Sequence, residues 1–514
     1  MGMFDKFIQK RNNVNKTHAR TTENFYIGVV EAEGEANNSK IILSEVFEDY
    51  LDVISQINNE KFIVLGRKGS GKSAIGEYLY SLAESDANLF ANFIRTSEIN
   101  IERIVQIGEE RGERIRQEVL YKWIVLTQLL NLFLQNQKIS TVKEMVHIKK
   151  FIEKNRGFVD IRNNEIKEII REKGFSVDLE YFKRFYTAKC NKKISIKEER
   201  ADFYKLIPYL EEIVTKILIE DRDNGYILIF DDLDIGYNYN VQSSKEALID
   251  LLRVTKYYNN EIFGRNGIKS KIVILLRNDI AKHLRFNADT AKLFASYAVE
   301  LNWFEEVYRL NEDKLKLKQF INKRIMLNFE KNNMEYIKGK PWESFVDESE
   351  FEQWRPNSKS SFKYVIDHTF FRPRDLILFF KDLNKYKFPI PLSKESINIL
   401  IGNYANEMFL EIQNELSAMY SALETNKIIN ALRNFSDKKP FTYQDLLYAL
   451  EEQKIEGALD DIIDELFYYS LIGNINNNGE VSFKFRENGG DTCLINRNEN
   501  FILHNMLKVY YRKN

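Results

Sequence analysis

The sequence predicts an α/β core, a parallel sheet of about five strands with helices on both faces, followed by a helical region and a small helix-and-strand module. The whole is mostly helical. Three observations carry this expectation. The runs at 62–65, 227–230 and 272–276 are continuously apolar, without polar alternation, as strands covered on both faces require. Segments of helical periodicity separate them, the pattern of parallel strands joined by crossover helices. Only 22 Gly and 7 Pro interrupt 514 residues, which favours long helices. One hydrophobic core cannot organise that length. The expected division is a basic arm (1–20), an α/β core (21–304) carrying a helical insertion at about 138–200, a helical lid (305–422) and a C-terminal module (423–514).

Composition excludes several classes. Hydrophobic residues at 44% and charged residues at 29% describe a folded, soluble chain rather than a disordered one. The 75 Lys+Arg nearly cancel the 76 Asp+Glu, so net charge does not argue for a nucleic-acid partner. Cys190 and Cys493 stand too far apart for metal-like spacing, and the five histidines (18, 147, 283, 368, 504) are scattered. The start, MGMFDKFIQK, is polar, and Lys6 replaces the Ser or Thr that myristoylation needs. No run of about eighteen apolar residues occurs, so no membrane span is expected and the expected location is cytoplasmic.

The stretch that declares chemistry is KFIVLGRKGSGKSAIGEYL, from Lys61 to Leu79. An apolar run stops at Gly66, and Gly66-Arg67-Lys68-Gly69-Ser70-Gly71-Lys72-Ser73 fits G-x-x-x-x-G-K-[ST]. Helical spacing resumes at Ala74, Ile75, Tyr78 and Leu79. Glycines at 66, 69 and 71 let successive N–H groups point at phosphate oxygens, and the helix start adds its own donors. Lys72 then reaches the β- and γ-phosphates of ATP, and the Ser73 hydroxyl holds Mg²⁺.

In order along the chain, Ile42, Val46, Phe47, Tyr50, Leu51 and Ile54 predict one amphipathic helix in front of the first strand. LFANFIRTSE (89–98) reads as a second strand, and Trp123, Ile124, Leu126, Leu129, Leu130 and Phe133 as a core stripe. In the insertion, Lys183, Arg184, Lys189, Lys192 and Lys193 form a basic cluster, read as a solvated face with nucleic acid as the minority alternative. YILIFDDLDIG (226–236) places two carboxylates at the C-terminal end of a buried strand, where ligands bind in open α/β sheets. Asp231 is the expected Mg²⁺ residue. Asp232 stands where the acid that polarises the attacking water belongs, one methylene shorter than the commoner Glu. KIVILLRNDI (271–280) ends in Arg277-Asn278-Asp279, and either Arg277 or Asn278 can sense the γ-phosphate from there. AVELNW (298–303) completes the sheet.

Beyond residue 305 the pattern is helical. In HTFFRPRDLILFF, Pro373 sits in the first turn of a helix between Arg372 and Arg374. Two guanidiniums there need an anion, either Asp375 or the γ-phosphate, and the phosphate is the preferred reading. The last ninety residues read as a separate module of three helices and a hairpin, a winged helix. Its third helix carries Asp460, Asp461, Asp464 and Glu465, which face DNA phosphates unfavourably, so protein contact is preferred. Lys484, Arg486 and the tail from Phe501 keep DNA as the alternative.

With GRKGSGKS, ILIFDDLD, ILLRND and FFRPRDL in this order, the chain resembles the AAA+/STAND branch of P-loop ATPases. It looks most like bacterial members with an origin-recognition-like architecture, a group often associated with anti-phage defence. The resemblance covers about residues 40–390 by ordered motifs, and the C-terminal ninety by their pattern of elements. It implies Mg-ATP held by Lys72, Ser73 and Asp231, Asp232 as catalytic acid, Arg277 or Asn278 as first sensor and Arg372 or Arg374 as second. It also implies a protein partner or homo-oligomer. Asp in place of Glu, and the lack of an identifiable arginine finger beyond the guesses Arg265 and Arg285, suggest slow or partner-assisted turnover. A DNA-loading protein and a non-hydrolysing ATP-binding scaffold are the alternative functions.

Overall fold

The apolar runs do form the sheet. A computed structural model describes residues 20–38, 40–95, 116–156, 174–235, 237, 241–285, 288–304, 312–351, 360–417, 419–437, 439–455, 457–484 and 493–513. The arm at 1–19, residues 96–98 of the second strand reading, and Arg486 lie outside these. The strands in chain order are β1 (Ile63–Gly66), β2 (Leu89–Arg95), β3 (Ser176–Asp178), β4 (Arg200–Asp202), β5 (Gly225–Asp231), β6 (Lys271–Arg277), β7 (Ala298–Glu300), β8 (Ile472–Ile475), β9 (Val481–Ser482) and β10 (Asn500–Leu503). Five of them make one parallel sheet in the order β2-β5-β6-β1-β7. Numbering those five alone, the order is 2-3-4-1-5.

The chain parts into two units: one from Asp49 to Leu301, the other joining the residues up to Glu48 with Asn302–Asn514. In the first unit both sheet faces are covered. A Cβ on Gly76, in the helix Lys72–Ser85, would meet the Phe93 ring and Leu275 at 3.0 Å, so that helix lies against one face. Asn92, the residue before Phe93, points the other way and donates to Gln128 on the helix Gln117–Gln135. The predicted stripe of that helix is fully buried. The insertion adds the β3–β4 hairpin and the helices Met145–Lys154 and Glu180–Cys190, whose apolar residues run on into the same core. Its basic cluster meets acids and carbonyls: Lys192 pairs with Glu212 at 2.7 Å, Lys189 with Glu220, and Lys183 donates to the carbonyls of Lys197 and Glu198. The helix Gln242–Lys256 continues as a π-helix, Tyr257–Gly264. Within it the Asn259 amide exchanges two 2.9 Å hydrogen bonds with the backbone of Ile272, satisfying β6 before β1 begins to pair with it.

The second unit departs from the expected boundaries. The single helix expected over 42–54 is two, Leu43–Val46 and Val53–Asn59. The cause lies between them: the Asp49 carboxylate accepts the N–H groups of Val53 and Ile54 at 2.7 and 2.8 Å, and Asp52 is left-handed (φ 55°). Residues before 49, expected in the α/β core, belong instead with the helix Lys316–Lys331. Asn328 on that helix brackets Tyr26, accepting its N–H at 2.7 Å and donating to its carbonyl at 2.8 Å. Arg324 is buried and forks onto Glu35, with Nη2 to Oε2 at 2.8 Å and Nη1 to the Ile27 carbonyl at 2.7 Å. A side chain at Gly28 (φ 149°) would collide with both members of this pair.

The last ninety residues join the same unit rather than standing apart. The helices Ala422–Arg433, Tyr443–Glu452 and Leu459–Tyr468 are followed by an antiparallel sheet, β10-β8-β9. The final helix, Asn505–Lys513, lies on the helix Lys394–Leu416, with Phe409 and Tyr510 stacked at 3.6 Å. No helix among the described residues is long and apolar enough to cross a membrane.

Breaking the Arg324–Glu35 pair from one side leaves a buried guanidinium without its anion. Glu35→Ala is expected to cost about 3–5 kcal/mol in urea unfolding of this unit, and Glu35→Leu with Arg324→Met to recover most of it.

Candidate functional site

The strand order decides what meets at the C-terminal edge of the parallel sheet. β6 lies between β1 and β5, so Gly66, Arg277 and Asp231 end three adjacent strands. Gly66 pairs in register with Arg277, and Asp231 pairs with Arg95 at the end of β2.

After β1 the chain turns tightly, with the Ser70 N–H donating to the Arg67 carbonyl at 3.1 Å. Gly69 and Gly71 have φ of 78° and 99°, angles that open the turn before the helix Lys72–Ser85. A Cβ on Gly66 would stand 2.2 Å from the Ser70 hydroxyl, so the first glycine is needed for space and the later ones for angle. Arg67, Lys68, Gly69, Gly71, Lys72, Ser73 and Ala74 are partly exposed around the cradle, and Ser70 is buried beneath it. The Lys72 amine folds back on the loop, donating to the carbonyls of Gly66 (3.1 Å) and Arg67 (3.2 Å). Burial lowers its pKa to about 8, and the nearby Arg277 charge adds to the effect, against Asp234, Asp231 and Asp279.

Asp231 is 4% exposed. Its Oδ1 accepts the N–H of Asp232 at 2.9 Å, the Ser73 hydroxyl is near enough to favour its charged form, and its Oδ2 has no hydrogen-bond partner. Burial raises its pKa; the Asp232 N–H and Ser73 oppose that rise. A buried carboxylate oxygen left open beside a serine hydroxyl and a phosphate cradle fits Mg²⁺, which takes one or two carboxylates and completes its shell with phosphate and water. The fit needs no larger cluster, and among the described residues no group of three metal-ligating side chains exists. Asp232 follows in the left-handed region (φ 58°), one of the few residue types that tolerates it.

The two sensor candidates part company here. Leu275 and Arg277 share a strand face, the one covered by the helix that begins at Lys72. Arg277 is paired with Asp279 through Nε (3.0 Å) and with Asp234 through Nη1 (3.0 Å). Asn278 instead donates to Glu300 at the end of β7, and its Oδ1 is buried without a partner. Asp234 and Asp279, to which the sequence assigned no part in the site, hold Arg277. Arg95 was missed altogether: it ends β2 beside Asp231 and pairs with Glu77 on the Lys72–Ser85 helix at 2.9 Å. Its signal was a charged residue closing an apolar run, the same signal that marks Arg277.

Arg372 and Arg374 belong to the other unit. Arg372 is buried, its Nη2 2.8 Å from Asp375, whose carboxylate also accepts the Arg372 N–H. Of the two anions expected to answer that arginine, the carboxylate is the one beside it. Arg374 pairs with Glu411 at 3.2 Å. Of the arginine-finger guesses, Arg265 pairs with Glu261 and Arg285 lies over the Phe294 ring.

No protein-family model and no curated protein matches the chain. Among solved structures it is similar to the ORC2 protein of Aeropyrum pernix, in ADPNP–ADP complexes, at 11% identity over 95% of each chain with a TM-score of 0.30. It is likewise similar to Cdc6p of Pyrobaculum aerophilum, at 11% identity over 92% of each chain with a TM-score of 0.28. Likeness of that degree identifies no family, and the functional reading rests on the strand order and the residues at its edge.

Because Asp231 is a buried carboxylate with an unanswered oxygen, Asp231→Asn is expected to stabilise the nucleotide-free protein. A gain of about 1–3 kcal/mol in denaturant unfolding without Mg²⁺ is the expected size. A loss of similar size would show that the carboxylate is already paid for by its neighbours.

Proposed function

We propose that the chain is an ATP-binding, ATP-hydrolysing switch of the AAA+/STAND class, regulating a protein partner or its own assembly, and by resemblance in a bacterial anti-phage setting. The observation that carries this reading is the open, buried carboxylate oxygen of Asp231, one strand away from a loop whose glycines and lysine suit phosphate.

The geometry supports the following roles. Backbone N–H groups of residues 69–73 and the start of the following helix bind the phosphates. Lys72 exchanges two carbonyl oxygens for phosphate oxygens. Ser73 and Asp231 would hold Mg²⁺, which would supply charge neutralisation at the phosphates. Asp232 is assigned to the attacking water and Arg277 to the γ-phosphate. Asp232 is shorter than Glu and set by a left-handed backbone, so the water is less well placed and slow turnover is the expectation. In the other unit, three helices and an antiparallel three-stranded sheet support a winged-helix reading of the C-terminal module. Its third helix spends Asp460 and Asp464 on Arg497, and Lys484 is buried with its amine on the Cys493 carbonyl at 2.8 Å. That favours a protein contact over DNA.

Two measurements test the reading. Mg-ATP at a hundred times its Kd is expected to stabilise the protein by about 2.7 kcal/mol, and Lys72→Ala to abolish the shift; an unshifted parent protein refutes nucleotide binding. The lowered pKa of Lys72 gives a signature of its own. Below about pH 8 the amine is charged before and after binding, so little proton exchange is expected. At about pH 9 the free site holds it largely neutral, and the phosphates draw a proton in. Calorimetry in buffers of different ionisation enthalpy should therefore show proton uptake at the higher pH, with affinity falling as pH rises further.

A further inference from the structure

At the end of β6 the Arg277 guanidinium is held on two edges by carboxylates of different standing. Asp279, two residues along the same chain segment, faces Nε and Nη2 and is almost enclosed, its side chain 10% exposed. Asp234 faces Nη1 from the turn after β5, and its side chain is 35% exposed. That turn starts at the left-handed Asp232, and its N–H to carbonyl contacts run from Ile235 to Asp232 and from Tyr237 to Asp234. Arg277 ends β6 in register with Gly66 at the end of β1, which places the cluster beside the glycine-rich loop.

A guanidinium presents separate donor edges, so one carboxylate can fix its plane while a second anion is exchanged on the other edge. We propose that Asp279 is the positioning residue that aims Arg277, and that Asp234 is an internal stand-in for the γ-phosphate. In the nucleotide-free protein Asp234 satisfies the Nη1 edge. When a γ-phosphate arrives, Arg277 exchanges Asp234 for it, and the turn after β5 loses the contact that ties it to β6. A partly exposed carboxylate is a weak competitor, because water answers it as well. On this proposal ADP, which lacks the third phosphate, leaves the tie in place. The exchange makes the turn's anchorage depend on the third phosphate, the differential contact that any nucleotide switch requires. This inference rests on the nucleotide reading above.

The test is a double-mutant cycle on the ratio of Mg-ADP to Mg-ATP dissociation constants, measured with a non-hydrolysable ATP analogue. Arg277→Ala is expected to lower the preference for ATP by about tenfold, within the usual range of site coupling, and Asp279→Asn to lower it in the same direction. Asp234→Asn, an isosteric change at a partly exposed position, is expected to raise the preference several-fold by removing the competitor. In the Arg277→Ala background, Asp234→Asn should leave the ratio unchanged. An equal rise in both backgrounds would mean that Asp234 acts only as a bulk negative charge, and no rise in the parent would mean that it does not compete; either overturns the proposal. A parent protein that binds ADP and the ATP analogue yet shows no such pattern defeats this inference alone. One that binds neither defeats the nucleotide reading as well.

Discussion

The open oxygen of Asp231 is the constraint around which the sheet unit is arranged. The residue ends a strand that is buried along its whole length, so its carboxylate cannot escape to water. One oxygen is taken by the next N–H of its own chain, and the other has no hydrogen-bond partner. A protein interior does not keep such a group for stability, since a buried acid without a full set of partners is costly. Such a group suits a ligand that arrives with positive charge, as the proposed function requires. The surrounding cations, Lys72 and Arg277, are in turn restrained by the loop carbonyls and by Asp234 and Asp279.

The sheet order makes this possible. With β6 between β1 and β5, the loop after β1 and the acid after β5 are held one strand apart, and the end of β6 is offered to both. Local devices keep the edge in place: Asn259 ties the start of β6 from a π-helical turn, and Arg95 ties the end of β2 to the phosphate-loop helix. In the other unit the corresponding work is done by long-range polar pairs. Arg324–Glu35 and Asn328–Tyr26 join segments about three hundred residues apart in sequence.

The sheet was largely legible in the sequence, and the reason is physical. Strands such as ILIF and IVILL are covered on both faces and leave no helical or alternating reading, and the glycine spacing of the loop has few other uses. What could not be read depends on contacts between distant residues. Spacing alone could not separate Arg277 from Asn278, because the choice turns on which strand lies on each side of β6. Residues 21–48 looked like the entry to the α/β core, yet Glu35 and Tyr26 find their partners on a helix beyond residue 316. The helix expected over 42–54 was broken by a side chain, Asp49, capping the wrong turn for continuity. Arg372 appeared available to an anion because its neighbour at Asp375 could equally have been an exposed cap. Lys484, a DNA contact only in the alternative reading, is buried with its amine on the Cys493 carbonyl, a contact that local sequence does not reveal.

The central claim is that Ser73 and Asp231 together hold the metal of a bound nucleotide. Diffraction from crystals grown with ADP and Mn²⁺ in place of Mg²⁺, collected at the manganese edge, tests it most directly. The account predicts one anomalous peak within direct-ligand reach of the Ser73 hydroxyl, with Asp231 bound to it directly or through one water. A nucleotide present with its manganese away from both residues, or bound somewhere other than the glycine-rich loop, would contradict it.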